Sequence, residues 1–179
     1  MSGIVLDTNV ASLHYKRRLP AGVRQYMAGQ RVHVAFATAG ELRQWAVARK
    51  WDWAARTGMQ LWLESKVVLL PYVPRVMWTW GDIGGRAMRS GRKLPANDLW
   101  IAACCIERGL PLLTLNRRDF EELERHEGLR LLPPRTADPP GAIEVRSPVP
   151  SYAALRSIER TGGRSAATRS QLALASSDR

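Results

Sequence analysis

The chain has 179 residues, 45% of them hydrophobic, and 27 Lys and Arg against 16 Asp and Glu give it a formal net charge of +11. That length suits one domain with a real core plus an appendage, and no apolar run approaches the ~20 residues a membrane helix needs. The only cysteines, Cys104 and Cys105, are adjacent, which excludes a disulfide framework and points to reduced thiols.

Reduced thiols make a cytoplasmic location the expectation, and no signal peptide is expected because a strand begins at residue 3 and ends in a charge. Residues 1–135 hold 21 basic and 12 acidic residues, while 136–179 hold 6 and 4. A basic body favours a polyanionic partner, nucleic acid first, although a proteome that favours Arg gives the same count.

Gly3 to Leu6 reads as a short buried strand. Asn9 is placed as the cap of a helix through about Lys16, and Ala21 to Ala28 as helical. Val32 to Phe36 is a second strand. Thr38 then caps a long amphipathic helix with Glu41 at the spacing of a capping box, and Leu42, Trp45, Ala46 and Trp53 share one of its faces. Val67 to Leu70 is a further apolar run with strand character. Pro74 starts a helix that reaches Ser90 with an interruption at Gly84 and Gly85. Pro95-Ala96-Asn97-Asp98 opens a helix that runs to Arg108 and stops at Gly109. Pro111 to Leu115 is a strand, Arg118 to Leu123 a short helix, and Leu129 to Leu132 a last strand.

Strands alternating with helices give an α/β fold with a short, mostly parallel sheet and right-handed crossovers. From Pro133 onward the composition turns to Pro, Ser, Ala, Arg and Gly. Residues 136–179 therefore read as an irregular tail, with one weak helix over 152–160.

Ligands of open parallel sheets bind at the carboxyl ends of the strands, where strand order reverses. Asp7 ends the first strand, in the run VLDTNV. Glu41 lies in the helix after the second, Asp98 opens the helix that leads back to the sheet, and Asn116 and Asp119 follow the strand PLLTL. A parallel sheet brings them all to one edge. Two like charges about 4 Å apart repel by about 4 kcal/mol at an effective dielectric of about 20. A hard divalent cation relieves that repulsion, and Mg²⁺ or Mn²⁺ suits oxygen ligands.

Each acid also has a plainer role. Asp7, Thr8 and Asn9 make an Asx turn and helix cap, Glu41 closes a capping box, Asp98 favours a helix dipole, and Asp119 caps a short helix. Four acids at strand-end positions on one edge shift the balance toward a site.

The run VLDTNV, then Glu41 after a hydrophobic strand, then PANDLWIAACCIERGLPLLTLNRRDF, resembles the PIN domain. More narrowly it is similar to the VapC-type toxins of bacterial toxin–antitoxin pairs, and the likeness covers residue 3 to about 133. It implies a PIN-like three-layer α/β/α fold and a magnesium- or manganese-dependent endoribonuclease.

By motif position it assigns Asp7, Glu41, Asp98 and Asp119 as the acidic cluster, with Asp7, Asp98 and Asp119 toward the metal. Thr8 and Asn116 become polar supports. Arg92, Lys93, Arg117 and Arg118, near the acids in sequence, are candidates to guide the RNA backbone. The expected partners are an RNA substrate, a cognate antitoxin and a second copy in a homodimer, with no membrane. The tryptophan-rich stretch from Trp45 to Trp80 and the tail depart from the usual compact toxin. A PIN nuclease acting in RNA processing and a non-catalytic RNA-binding module are the alternatives. A phosphatase of the D-x-D-x-T kind is disfavoured because position 9 is Asn.

Overall fold

The computed structural model describes residues 3–133. The expected tail over 136–179, its weak helix and the division at residue 135 lie outside them. Five strands form one sheet: β1 (Gly3–Leu6), β2 (Arg31–Ala35), β3 (Val68–Leu70), β4 (Leu112–Leu113) and β5 (Leu131–Leu132). Their order is β3-β2-β1-β4-β5, and every pairing is parallel. The chain steps outward from β1 to β3, then crosses back to lay β4 on the other side of β1. The reversal of strand order therefore falls between β1 and β4.

The helices are α1 (Thr8–Tyr15), α2 (Ala21–Arg24), α3 (Phe36–Ala48), α4 (Trp53–Ser65), α5 (Pro74–Arg89), α6 (Ala96–Arg108) and α7 (Arg117–Glu127). They cover both faces of the sheet. Because side chains alternate along a strand, Val5, Ala35, Leu112 and Leu131 meet residues of α5, α6 and α7 on one face. Ile4, Leu6, Val34 and Leu113 meet α1, α3 and α4 on the other. The result is three layers, α/β/α. All four residues of β1 are buried, as expected of a central parallel strand covered on both sides.

Several boundaries differ from the sequence reading, each for a physical reason. Helix α1 begins at Thr8, and its cap is Asp7 rather than Asn9. Helix α3 begins at Phe36, two residues before the expected cap Thr38, and Ala35 precedes it without a side-chain cap. Phe36 and Ala37 pack on the core, so the chain turns straight from β2 into the helix and the capping box is not formed.

The expected long helix is also two helices. It ends at Ala48, Lys50 takes a left-handed φ of 52°, and Asp52 restarts the helix by accepting the Ala55 N–H at 2.8 Å. That break turns Trp53 outward, 74% exposed, instead of onto the face of Leu42 and Ala46.

Conversely, α5 runs unbroken through Gly84 and Gly85. Glycine weakens a helix interior by roughly 1 kcal/mol. Here Val76, Ile83 and Ala87 are buried in the core that α6 also lines, and a Cβ on Gly84 would already touch Leu99 at 3.4 Å. Close packing of the two helices favours the continuous form. Helix α7 extends past Leu123 to Glu127 and stops where Gly128 adopts a φ of 73°, as α6 stops at Gly109, φ 64°.

Candidate active site

Asp7 follows the last residue of β1 and is 5% exposed. One oxygen, Oδ1, accepts the Thr8 backbone N–H at 2.6 Å. The other, Oδ2, accepts the Thr114 hydroxyl at 2.9 Å. Thr114 directly follows β4, so this bond bridges the point where strand order reverses. The Asn116 backbone N–H donates to the Thr114 oxygen at 3.0 Å, which leaves the hydroxyl proton to face Asp7.

Glu41 stands on the second turn of α3. The Thr8 hydroxyl donates to its Oε2 at 2.5 Å, and the Asn97 amide donates to its Oε1 at 2.7 Å. The Thr38 hydroxyl, fully buried, lies 3.5 Å from that of Thr8. Asp98 occupies the first turn of α6. Asp119, in the first turn of α7, is exposed at the rim and accepts a hydrogen bond from the Asn116 amide.

The electrostatics tie the four acids into one site. Burial pushes the Asp7 carboxyl up to about 7, against its two hydrogen bonds, with Glu41 and Asp119 adding repulsion. Burial likewise pushes Asp98 to about 8, and the charges of Asp7, Asp119 and Glu41 push the same way. Partial burial raises Asp119, and the Asn116 hydrogen bond opposes it. Carboxylates that resist ionisation beside one another are the condition a bound cation relieves.

The donors are all oxygens, which suits Mg²⁺ or Mn²⁺. Among the described residues no three His, Cys, Asp or Glu converge tightly enough to enclose an ion by themselves. The set fits a cation held by one or two carboxylates, with water in its other positions.

The four expected basic residues separate into two pairs. Arg92 donates to Ser90 at 2.8 Å and lies 3.4 Å from Glu127, whose side chain is 3% exposed. Arg86 holds the other oxygen of Glu127 at 2.8 Å. Arg117 donates to both oxygens of Glu124, at 2.5 and 2.6 Å, and to the Pro133 carbonyl. Both arginines are thus engaged within the domain, whereas Lys93 and Arg118 are exposed. Cys104 and Cys105 are buried free thiols, with Cys104 pushed up to about 11 by burial.

Three residues stand beside the acids in a role that the sequence reading did not give them: Thr38, Asn97 and Thr114. Two of them left a signal. Thr114 is the one hydroxyl in the strand PLLTL. Asn97 is a cap-preferring residue placed inside a helix whose cap position Pro95 already fills.

Comparison with curated proteins gives no match. Solved structures do match. DNA-bound VapBC from Salmonella typhimurium is 25% identical, with a TM-score of 0.59, over 73% of this chain and 97% of that one. A member of the VapBC family of toxin-antitoxin systems from Mycobacterium tuberculosis is 26% identical, with a TM-score of 0.53, over 73% and 98%. VapBC-1 from nontypeable Haemophilus influenzae shares the fold at 23% identity, with a TM-score of 0.60, over 72% and 95%. A family model for the PIN domain matches residues 4–138, which takes in all of the strands and helices described above except Gly3 of β1, together with all four acids of the rim, and the chain belongs to the PIN-domain family.

Proposed function

We propose that this PIN domain is a metal-dependent endoribonuclease and the toxin of a toxin–antitoxin pair. The observation that carries the reading is the buried Asp7, bonded across the β1–β4 switch point and driven up in company with Asp98. That arrangement costs the fold free energy unless a cation resolves it. When bound, Mg²⁺ or Mn²⁺ would neutralise charge building on the scissile phosphate and acidify a water.

The chain's own residues do the rest. Asp7 and Asp98 would hold the cation, with Asp119 at the rim reaching it through water. Thr114 and the Thr8 N–H keep Asp7 in one orientation, and Thr8 also fixes Glu41. Glu41, with both oxygens held, orients the attacking water. Asn116 steadies Asp119. Lys93 and Arg118, exposed and charged, draw in the RNA backbone.

RNA incubated with the purified protein should be cut in Mg²⁺ or Mn²⁺ and stay intact in chelator. Asp7→Asn should lower cleavage at least about 10³-fold while RNA still binds, and changing Lys93 and Arg118 to Glu in that variant should weaken the binding and its salt dependence. Cleavage by Asp7→Asn at the wild-type rate contradicts the reading.

The toxin assignment is supported by the VapBC neighbours and by apolar side chains left outside on α3 and α4, where Val47 is 56%, Trp53 74% and Leu61 56% exposed. An antitoxin helix lying over these helices would cover them. If a small reading frame lies beside this one, co-expression with its product should yield a complex, and separate elution of the two proteins would count against the pairing. A homodimer and a cytoplasmic location belong to the same reading. Among the described residues no helix is long and apolar enough to cross a membrane.

A further inference from the structure

We propose that Asn97 is a positioning residue for Glu41, an assignment that deepens the nuclease reading and rests on it. Asn97 occupies the second position of α6. Asparagine in a first turn ordinarily serves a cap or a local turn. Here the cap is Pro95, with no side-chain cap bond, and the Asn97 amide instead reaches a carboxylate 56 residues earlier in the chain. An ionised carboxylate only accepts hydrogen bonds, so the amide nitrogen of Asn97 must be the atom that faces Glu41.

The two donors to Glu41 have separate origins. Thr8 holds Oε2 from the first turn of α1, beside Asp7, and Asn97 holds Oε1 from the first turn of α6, beside Asp98. The carboxylate is thereby strung between the turns that carry the buried Asp7 and the half-buried Asp98. Its charge acts on both of them. Among the described residues the Asn97 amide makes the hydrogen bond from α6 to Glu41, a side chain that is itself only half-buried. Gly40, Arg43 and Gln44 around it are all exposed.

Without the Asn97 amide, the half-buried Glu41 side chain loses its hold on the α6 side and turns toward solvent. It then ceases to orient water at the site, and the negative potential available to a cation falls. One turn of α6 thus supplies both an acid, Asp98, and the clamp on another acid, Glu41.

The test is a double-mutant cycle in the full chain: wild type, Asn97→Ala, Glu41→Gln and the pair. The readouts are kcat and KM on a single-stranded RNA oligonucleotide in Mn²⁺, and Mn²⁺ affinity by calorimetry. Asn97→Ala should lower kcat about 10-fold, within the 10–100-fold range typical of outer-shell partners. KM should stay within about twofold, and Mn²⁺ binding should weaken severalfold. In the Glu41→Gln background the same change should alter neither, because its effect passes through Glu41.

Asn97→Asp keeps the shape but sets a second carboxylate against Glu41, so it should lose at least as much kcat. Equal losses in both backgrounds, a loss confined to KM, or a wild-type kcat from Asn97→Asp would overturn the assignment. A wild type that binds Mn²⁺ but cuts no RNA removes the nuclease reading, and the Mn²⁺ cycle then decides alone: weakening that depends on Glu41 upholds the clamp, and equal weakening in both backgrounds overturns it.

Discussion

Asp7 both starts a helix and serves the candidate site, and the two roles pull its carboxylate in different directions. A cap bond to the Thr8 N–H favours the ionised form, while complete burial disfavours it. Thr114 tips this balance from the neighbouring strand. Thr114→Val keeps the shape and removes the donor. It should push the Asp7 carboxyl still higher and lower metal-dependent cleavage about 10–100-fold, with the midpoint pH of the rate profile moving upward as the carboxyl becomes harder to ionise. An unchanged profile would mean that Asp7 does not need this bond.

Asp7, Asp98 and Asp119 stand out as candidates in the sequence because each sits at a recognisable strand end or helix start. Glu41 stands out because of its spacing from Thr38, although the structure places it on the second turn of α3. Sequence alone could not show Thr114 or Asn97 as their partners. Those partners depend on which strand lies beside β1 and on where α6 meets α3, and both facts exist only after folding.

At the level of elements, the strongest signals in the chain were the ones that punctuate it. Gly109 ends α6 in the left-handed conformation that the sequence called for, and the five apolar runs became five parallel strands. The misreadings arose where tertiary packing outweighed local preference. The T-x-x-E spacing at Thr38 looked like a cap, yet Thr38 is buried inside α3 and Glu41 turns to Thr8 and Asn97. The two glycines of α5 looked like a break, yet helix-to-helix contact holds the run together.

The broken α3–α4 segment divides the tryptophans by role. Trp62 is 8% exposed, with His14 at 5.7 Å and Tyr15 at 5.8 Å between ring centroids. Trp53 stands 74% in solvent. Trp62→Ala should therefore destabilise the domain by about 3–5 kcal/mol, and Trp53→Ser should stay within about 0.5 kcal/mol in chemical denaturation. Similar losses from both would place Trp53 in the core.

For the whole molecule, the informative contrast is a basic body around an acidic rim. Residues 1–135 carry 21 basic and 12 acidic side chains, and four of those acids collect at the carboxyl edge of the sheet. On the proposed reading such a body would attract a polyanion from a distance, while the rim would repel it until a cation is bound. A cation would then be a condition for cleavage, and its binding would be coupled to protons. Burial and mutual repulsion hold Asp7 near 7 and Asp98 near 8, so near neutral pH the metal-free protein keeps protons that ordinary carboxylates have already lost. A cation needs the ionised forms and must displace those protons. Its apparent affinity should accordingly rise with pH from about 6 to about 8 and level off above both values.

Calorimetric titration of Mn²⁺ at pH 7 in buffers of different ionisation enthalpy reads this directly. The wild-type protein should bind Mn²⁺ and release about one proton per ion, while Asp7→Asn with Asp98→Asn should bind none. Binding without proton release, or equal binding by the doubly substituted protein, would contradict a cation held by these two acids.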